Sequence, residues 1–347
     1  MVKKDSDSMP IPARCIESWV GDNALFIAQT LQARDRRMKE VPAKREEYLR
    51  KGLIRKRADS ERTTLAAVDA ADIQVEIGDM VSILVNSARV EDDGQVTFGA
   101  PVRKTGVNSE ELSLARTPLR VAGECSFLCE SQSITIADTS FWSLLWEVNQ
   151  TITRREGAGS NSALEESYTR LVKDGAFIRT MRNENVIAMS KTNQSCRISG
   201  GMVSDREMLG AILEPGEYIV PGPLDEWLKA SFGVEKRGFT DAERKEIGAI
   251  YKNDLRVTFF KPHAWSRAYR IEAHTSRLQD EAWLMALLAA VDYHTKASHL
   301  PEPWPQFLAD FVTKQISGIG ELYGALNFHR TPYFDPSRAS RMMWRSA

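Results

Sequence analysis

The chain has 347 residues, a formal net charge of −1 and ordinary apolar and charged fractions. That length supports a large core in one or two domains, and the near-neutral balance does not announce a nucleic-acid binder. No apolar segment is long enough to span a bilayer. The polar start Met1-Val-Lys-Lys has no apolar signal core, so a cytoplasmic protein is the expectation. Cys15, Cys125, Cys129 and Cys196 show no paired metal spacing. Cys125 and Cys129 fall one helical turn apart and read as buried apolar thiols.

Residues 14–33 suggest two short helical pieces broken at Gly21-Asp22-Asn23. Residues 34–62 hold 12 Lys or Arg against 6 Asp or Glu. This N-terminal arm is either a solvated helical face or a patch that meets a phosphate backbone. The core is expected to begin at Thr63. Leu65 to Val68 is a short apolar run, a buried strand, and it delivers one carboxylate, Asp69. A carboxylate on such a strand costs free energy unless it is paired or binds a cation. The alternative is an Asp in a polar turn after the strand.

A turn at Ile77-Gly-Asp-Met80 leads into a β-branched strand to Val90. A second turn at Glu91-Asp-Asp-Gly94 leads into a third strand, Gln95 to Val102. Three strands joined by tight turns form an antiparallel meander. A helical region from Asn108 to about Ser131 follows, capped by Ser109, with Pro118 near its middle. Ser133 to Asp138 is then a buried strand that again ends in a carboxylate. The helix acts as a crossover, so this strand can lie parallel to the first.

The order β-β-β-α-β, with an Asp on the first strand and one ending the fourth, is the arrangement of ribonuclease-H-like nucleases. The predicted fold is therefore α/β: a ribonuclease-H-like (PIWI-like) core with a mixed sheet flanked by helices, preceded by the helical arm. Such sites take a further carboxylate from the crossover helix, and Glu124 and Glu130 are available. Strand four advances about 13 Å at ~3.3 Å per residue. The antiparallel helix covers that distance in about nine residues at ~1.5 Å each. Counting back from Ser131 or Gln132 reaches the neighbourhood of residue 123, which selects Glu124.

Further on, 141–154 and 164–173 read as helices, and 185–191 as a strand leading to Lys191. The segments 255–260 and 268–273 read as paired strands. Leu284, Leu287, Leu288 and Val291 form one apolar helical stripe; Leu308, Phe311, Val312, Ile316 and Ile319 form another. Both are expected to be core faces. Asp310 lies off the second stripe. Glu272 and Glu302 are second-rank acids, and Glu272 is placed to pair with Arg270 or Lys261.

From about Leu65 to Asn327 these residues resemble the NurA nucleases. Leu65-Ala-Ala-Val-Asp69-Ala is similar to the family's Val-Asp-Gly-Ser start, with Ala70 in place of Gly. Ile134-Thr-Ile-Ala-Asp138-Thr-Ser-Phe is similar to its second Asp-Gly-Ser motif, with Thr139 in place of Gly. Val186-Ile-Ala-Met-Ser-Lys191-Thr, Ser204-Asp205-Arg206 with Leu213-Glu-Pro-Gly216, and Arg270-Ile-Glu272 also fit. The family's last motif, Tyr-Pro-x-Pro-Leu-x-x-Ala-His, aligns with Glu302-Pro-Trp-Pro-Gln-Phe-Leu-Ala-Asp310. Glu302 stands where Tyr is usual and Asp310 where His is usual. The resemblance implies a nuclease domain over 63–330 between the arm at 1–62 and a tail at 331–347. It implies a divalent metal, manganese or magnesium, cleavage of DNA, a homodimer, and a HerA-type hexameric ATPase as partner, in DNA end processing or in defence against foreign DNA.

In that reading Asp69, Glu124, Asp138 and Asp310 hold one or two cations. One ion lowers the pKa of a bound water and the other steadies the leaving oxygen. Lys191 steadies the scissile phosphate; its plainer reading is a solvated lysine after a strand. Two other function classes stay open. One is a catalytically inactive NurA-like dimeric adaptor that clamps DNA on the motor. The other is a nucleic-acid-binding protein that uses the basic arm.

Overall fold

The computed structural model describes residues 24–77, 80–106, 109–157, 162–190, 204–224, 239–298 and 302–315. Helices α1 (Ala24–Met38) and α2 (Val41–Arg50) lead to strand β1 (Ile54–Lys56). Strands β2 (Ala66–Ile77), β3 (Met80–Val90), β4 (Val96–Phe98) and β5 (Val102–Gly106) follow, then helix α3 (Ser109–Leu128) and β6 (Thr135–Ala137). Next come α4 (Phe141–Gly157), α5 (Ser162–Tyr168), α6 (Ala176–Arg182), β7 (Val186–Ala188) and α7 (Asp205–Ile212). The chain continues through β8 (Glu217–Ile219), β9 (Gly222–Pro223), α8 (Asp241–Ala249), β10 (Leu255–Lys261) and β11 (Tyr269–His274). Helices α9 (Thr275–Gln279), α10 (Glu281–Ser298) and α11 (304–315) close the described part.

The strands of the described residues join one mixed sheet in the order β1-β8-β10-β11-β7-β6-β2-β3-β4, with β5 also on β3 and β9 also on β10. β2, β6 and β7 run parallel to one another, and the other pairs are antiparallel. Alternation along the central strands explains why both faces are covered. Val68, Ala137 and Ala188 pack with α3, α4 and α6 on one face. Their neighbours Ala67, Ile136 and Ile187 pack with α10 and Ala309 on the other. Strands buried on both faces read as unbroken apolar runs, which is why Leu65–Val68 was legible. A third apolar cluster joins β3 to the start of α3 and to α5, through Ile83, Val85, Leu119 and Leu164.

Three expectations are corrected. The third strand is two strands, because Gly99-Ala-Pro101 interrupts it: Gly99 N–H bonds Ser87 O at 2.9 Å, and Pro101 has no N–H for the ladder. β4 therefore pairs with Ala88–Val90, and β5 with Val81–Val85. The 164–173 helix begins at Ser162 and widens into a π turn over Thr169–Lys173. Phe311 is 47 % exposed and is not a core residue. Its stripe-mates Leu308 and Val312 do pack on the α10 side, whereas Ile316 and Ile319 lie outside the described residues. Pro118 stands inside α3. The carbonyl of Leu114, four residues earlier, instead takes a 3.4 Å bond from Arg154.

The basic arm is tied to the sheet. β1 pairs with β8. Arg45 binds both oxygens of Glu217 at 2.7 and 3.0 Å, and Ile212 O at 2.6 Å. Arg34, Arg57 and Arg62 pair with Glu207, Asp292 and Asp92. Part of the arm's positive excess is thus matched by carboxylates of the fold.

Candidate active site

Asp69 lies inside β2, opposite Ala88 of β3; it is not in a turn. Its position relative to Asp138 follows from register and from bonds to α11. β2 and β6 pair in parallel as Ala66↔Thr135, Ala67↔Ile136 and Val68↔Ala137. Asp69 is the next residue of β2, whereas Asp138 is the first residue after β6, in a bend, so the strand expected over 133–138 stops one residue short of its acid. Alternation puts Asp69 on the face of Ala67, and the bonds of both aspartates to α11 put Asp138 on that side as well. That face is the one covered by α10 and α11, because Ala67 and Ile136 belong to its core. Asp69 is 7 % exposed. Its Oδ2 accepts a bond from Thr313 Oγ1 of α11 at 3.2 Å. Asp138 Oδ1 accepts from Gln306 Nε2 of the same helix at 2.8 Å, and Gln306 also donates to Met189 O at 2.9 Å. Helix α11 therefore holds both aspartates by neutral donors, one from each end.

Glu124 arrives from the other side of the sheet, on α3. Ala66 N–H bonds Ile134 O at 2.8 Å, so the backbone groups of Ala66, Val68 and Ala70 face β6 by alternation. β6 ends at Ala137, which leaves the Ala70 rung without a strand partner. Two side chains one turn apart on α3 take its place. Glu124 accepts from the Ala70 N–H, and Arg120 Nε donates to Ala70 O at 2.9 Å. Gly123 eases the close approach of the helix at this point. A Cβ there would stand 3.3 Å from Ser87 Cβ and 4.0 Å from Ala70 Cβ.

The Glu124 carboxyl is pushed up to about 8. Burial is the main cause and the Asp69 charge the next. Arg120 opposes the rise, Asp138 adds to it, and the Ala70 N–H opposes it. Three acids from β2, α3 and the end of β6 thus feel one another. Oxygen donors of this kind suit a hard divalent cation, and a carboxyl kept protonated by burial first and by neighbouring carboxylates second would lose its proton more readily beside one. Among the described residues, no group of three His, Cys, Asp or Glu side chains stands ready to hold an ion together. The donor chemistry fits a cation, and Thr313 and Gln306 bond one oxygen of Asp69 and one of Asp138.

The remaining expected residues distribute as follows. Asp310 is on α11, half-buried, and pairs with Lys314 one turn on, at 2.8 Å. Lys191 lies outside the described residues. Glu130 is exposed beyond the end of α3. Glu272 is 1 % exposed and has a structural partner on each oxygen: Arg270 Nε at 2.7 Å and the Phe141 N–H of α4 at 2.8 Å. Glu302 is buried near Tyr269, whose phenol it helps to raise after burial has done most. Arg206 is also buried; it donates to Ala268 O at 3.0 Å and to Ser190 O at 2.8 Å, next to Lys191 in sequence. Burial lowers its pKa, while the phenol of Tyr269 and the charge of Asp138 oppose that.

Sequence reasoning assigned no role to Gln306, Thr313, Arg120 or Gly123. Arg120 could have been found, since it lies four residues before Glu124 on the same helix face. Gln306 and Thr313 carry no signal until α11 is docked.

No protein-family model matches the chain, and no characterised protein matches it in sequence. Solved structures do match. The NurA nuclease from Sulfolobus solfataricus superposes with a TM-score of 0.58 at 14 % identity, over 94 % of this chain and 100 % of that one. A structure of NurA with manganese matches with a TM-score of 0.54 at 9 % identity, over 84 % and 94 %. NurA bound to dAMP and manganese matches with a TM-score of 0.52 at 10 % identity, over 92 % and 95 %. Likeness across nearly the whole of both chains gives this protein the fold of the NurA nucleases.

Proposed function

We propose that the chain is a divalent-metal-dependent DNA nuclease of the NurA family, which hydrolyses phosphodiester bonds at the Asp69–Glu124–Asp138 site. The observation that supports this reading most is that one helix, α11, bonds both Asp69 and Asp138, while the Glu124 carboxyl feels the charge of each. The neighbours crystallised with manganese and with dAMP support the choice of cation and of substrate. The order β4-β3-β2-β6-β7 supports a ribonuclease-H-like core within the larger sheet. Domain limits at 63–330, a homodimer and a HerA-like hexameric ATPase partner belong to the same reading and rest on the resemblance. So does the role in DNA end processing or in defence.

Asp69 and Asp138 would supply the charged donors. Glu124, its pKa raised by burial and by the Asp69 charge, would be the third donor once deprotonated. Gln306 and Thr313 fix the rotamers of the two aspartates. A bound divalent cation there supplies an activated water and charge stabilisation for the leaving oxygen. Asp310 is the fourth donor in this reading and must exchange Lys314 for the cation.

Pairing of Asp310 with Lys314, together with Glu302 and Asp310 at the family's Tyr and His positions, favours a second reading: an inactive NurA-like adaptor that clamps DNA on the motor. One assay separates the two. Purified protein is incubated with linear DNA and manganese, with and without chelator, beside Asp69→Asn. The nuclease reading expects chelator-sensitive cleavage that falls at least about a thousandfold in the variant. Undigested DNA in every lane supports the adaptor, and equal cleavage by the variant removes this site from the chemistry.

A further inference from the structure

The outward side of α11 carries a feature that the acid site does not use. Trp304, Phe307 and Phe311 follow the i, i+3, i+7 spacing of one helical stripe. Their rings stack in series. Trp304 and Phe307 centroids are 5.9 Å apart at 29°, and Phe307 and Phe311 are 6.1 Å apart at 18°. The two end rings are the exposed ones, Trp304 at 37 % and Phe311 at 47 %. Aliphatic residues of the same helix behave differently: Ala309 is buried, and Leu308 and Val312 pack on the core. An exposed apolar stripe on a folded protein marks a contact surface. One made only of flat rings, stacked at shallow angles, suits a flat aromatic partner.

We propose that this aromatic stack is a platform for the unpaired bases of a single DNA strand, which it guides to the Asp69–Asp138 site. The inference rests on the nuclease reading above. Three points support the occupant. First, every base has a π face, so stacking on such rings needs no particular sequence. Second, the stripe spans seven residues, about 10 Å of helix at ~1.5 Å each, which matches about three stacking steps, or four bases, at ~3.4 Å per step. Third, the opposite side of the same helix holds the acids through Gln306 and Thr313. A strand that leaves the rings crosses only the width of one helix, about 10–12 Å, to reach the carboxylates. Base pairing hides the π faces, so a duplex must fray before it uses this surface.

The test is equilibrium binding by the full chain in chelator, so that cleavage plays no part. Probes are a labelled oligothymidylate of about sixteen nucleotides, an abasic strand of equal length, and a duplex. Wild type is expected to bind the oligothymidylate about tenfold or more tighter than the abasic strand, since each stacked base contributes appreciably. Trp304→Ala and Phe311→Ala each remove most of that preference and leave abasic-strand affinity unchanged, while Trp304→Phe retains it. Both positions are exposed, so the variants are expected to fold, and circular dichroism checks this. Equal affinity of wild type for the two single strands overturns the platform, as does an unchanged preference in the alanine variants. Light scattering is run alongside: an alanine variant that turns a dimer into monomers assigns the rings to a subunit interface and overturns the proposal. Manganese-dependent cleavage that persists beside any of these failures leaves the nuclease reading intact. Absence of both cleavage and DNA binding removes both.

Discussion

Glu124 is the residue on which the site's electrostatics turn. Its carboxyl is raised from an ordinary 4.5 to about 8 by burial and by Asp69. A group whose folded pKa lies above its unfolded value binds more protons in the native state. Its contribution is therefore fully present below about 4.5 and is lost as pH rises towards about 8. Metal-free protein should melt at a lower temperature as pH climbs through that window, and Glu124→Gln should flatten the dependence. Melting curves followed by circular dichroism in chelator check this, and parallel profiles for the two proteins would contradict it. Gln306 acts through Asp138, to which it donates at 2.8 Å. Removing such a partner typically weakens a metal site about 10–100-fold, so Gln306→Ala should lose that much manganese affinity, measured on folded protein because truncating a buried, doubly bonded side chain also lowers the melting temperature. The two aspartates and Glu124 were legible in the sequence because apolar runs and one helix length fix where strands and helices end. Gln306 and Thr313 were not, since their role exists only once a helix some 170 residues downstream docks over the sheet. Asp310 was legible as a carboxylate beside Lys314 on one helix, but that the two form an ion pair was not, because a neighbour at i+4 can equally stay in solvent.

Among the elements, the end of β6 decides the most. By stopping at Ala137 it frees the Ala70 rung, and α3 fills that rung with Glu124 and Arg120. An acid on one face of the sheet can in this way meet two that leave from the other. The crossover count predicted Glu124 from strand rise and helix rise alone. It predicted neither the gap nor Gly123, because both depend on β6 stopping short of the acid it delivers. The third strand was misplaced for a related reason: Val96 to Val102 alternates well enough to be a strand, but Pro101 has no donor for its ladder position. Glu272, a second-rank acid in the sequence, is an element-level device. It caps the start of α4 through Phe141 N–H and neutralises Arg270 inside β11. Glu272→Gln leaves Arg270 buried with its charge unmatched, and should cost roughly 3 kcal/mol in urea unfolding. Manganese affinity is expected to stay at the wild-type level. A variant that is equally stable but fails to bind the ion would move Glu272 into the metal site.

At the scale of the whole molecule, one mixed sheet brings together acids far apart in sequence. β2 supplies the first and the bend after β6 supplies another. The last helix of the described chain locks both. The layered α/β class was readable from alternating apolar runs. The far half of the sheet, β1-β8-β10-β11, was only partly readable. The β10–β11 pair was expected, but β1 was hidden in a basic stretch whose charges gave no hint that Arg45 would meet Glu217. The central claim is that Asp69, Glu124 and Asp138 form one cation-binding site. Manganese binding measured by electron paramagnetic resonance, in wild type, Asp69→Asn and Asp138→Asn, tests it most directly. The account predicts binding by wild type and a loss of at least about tenfold in each variant; variants that bind manganese as tightly as wild type would contradict it.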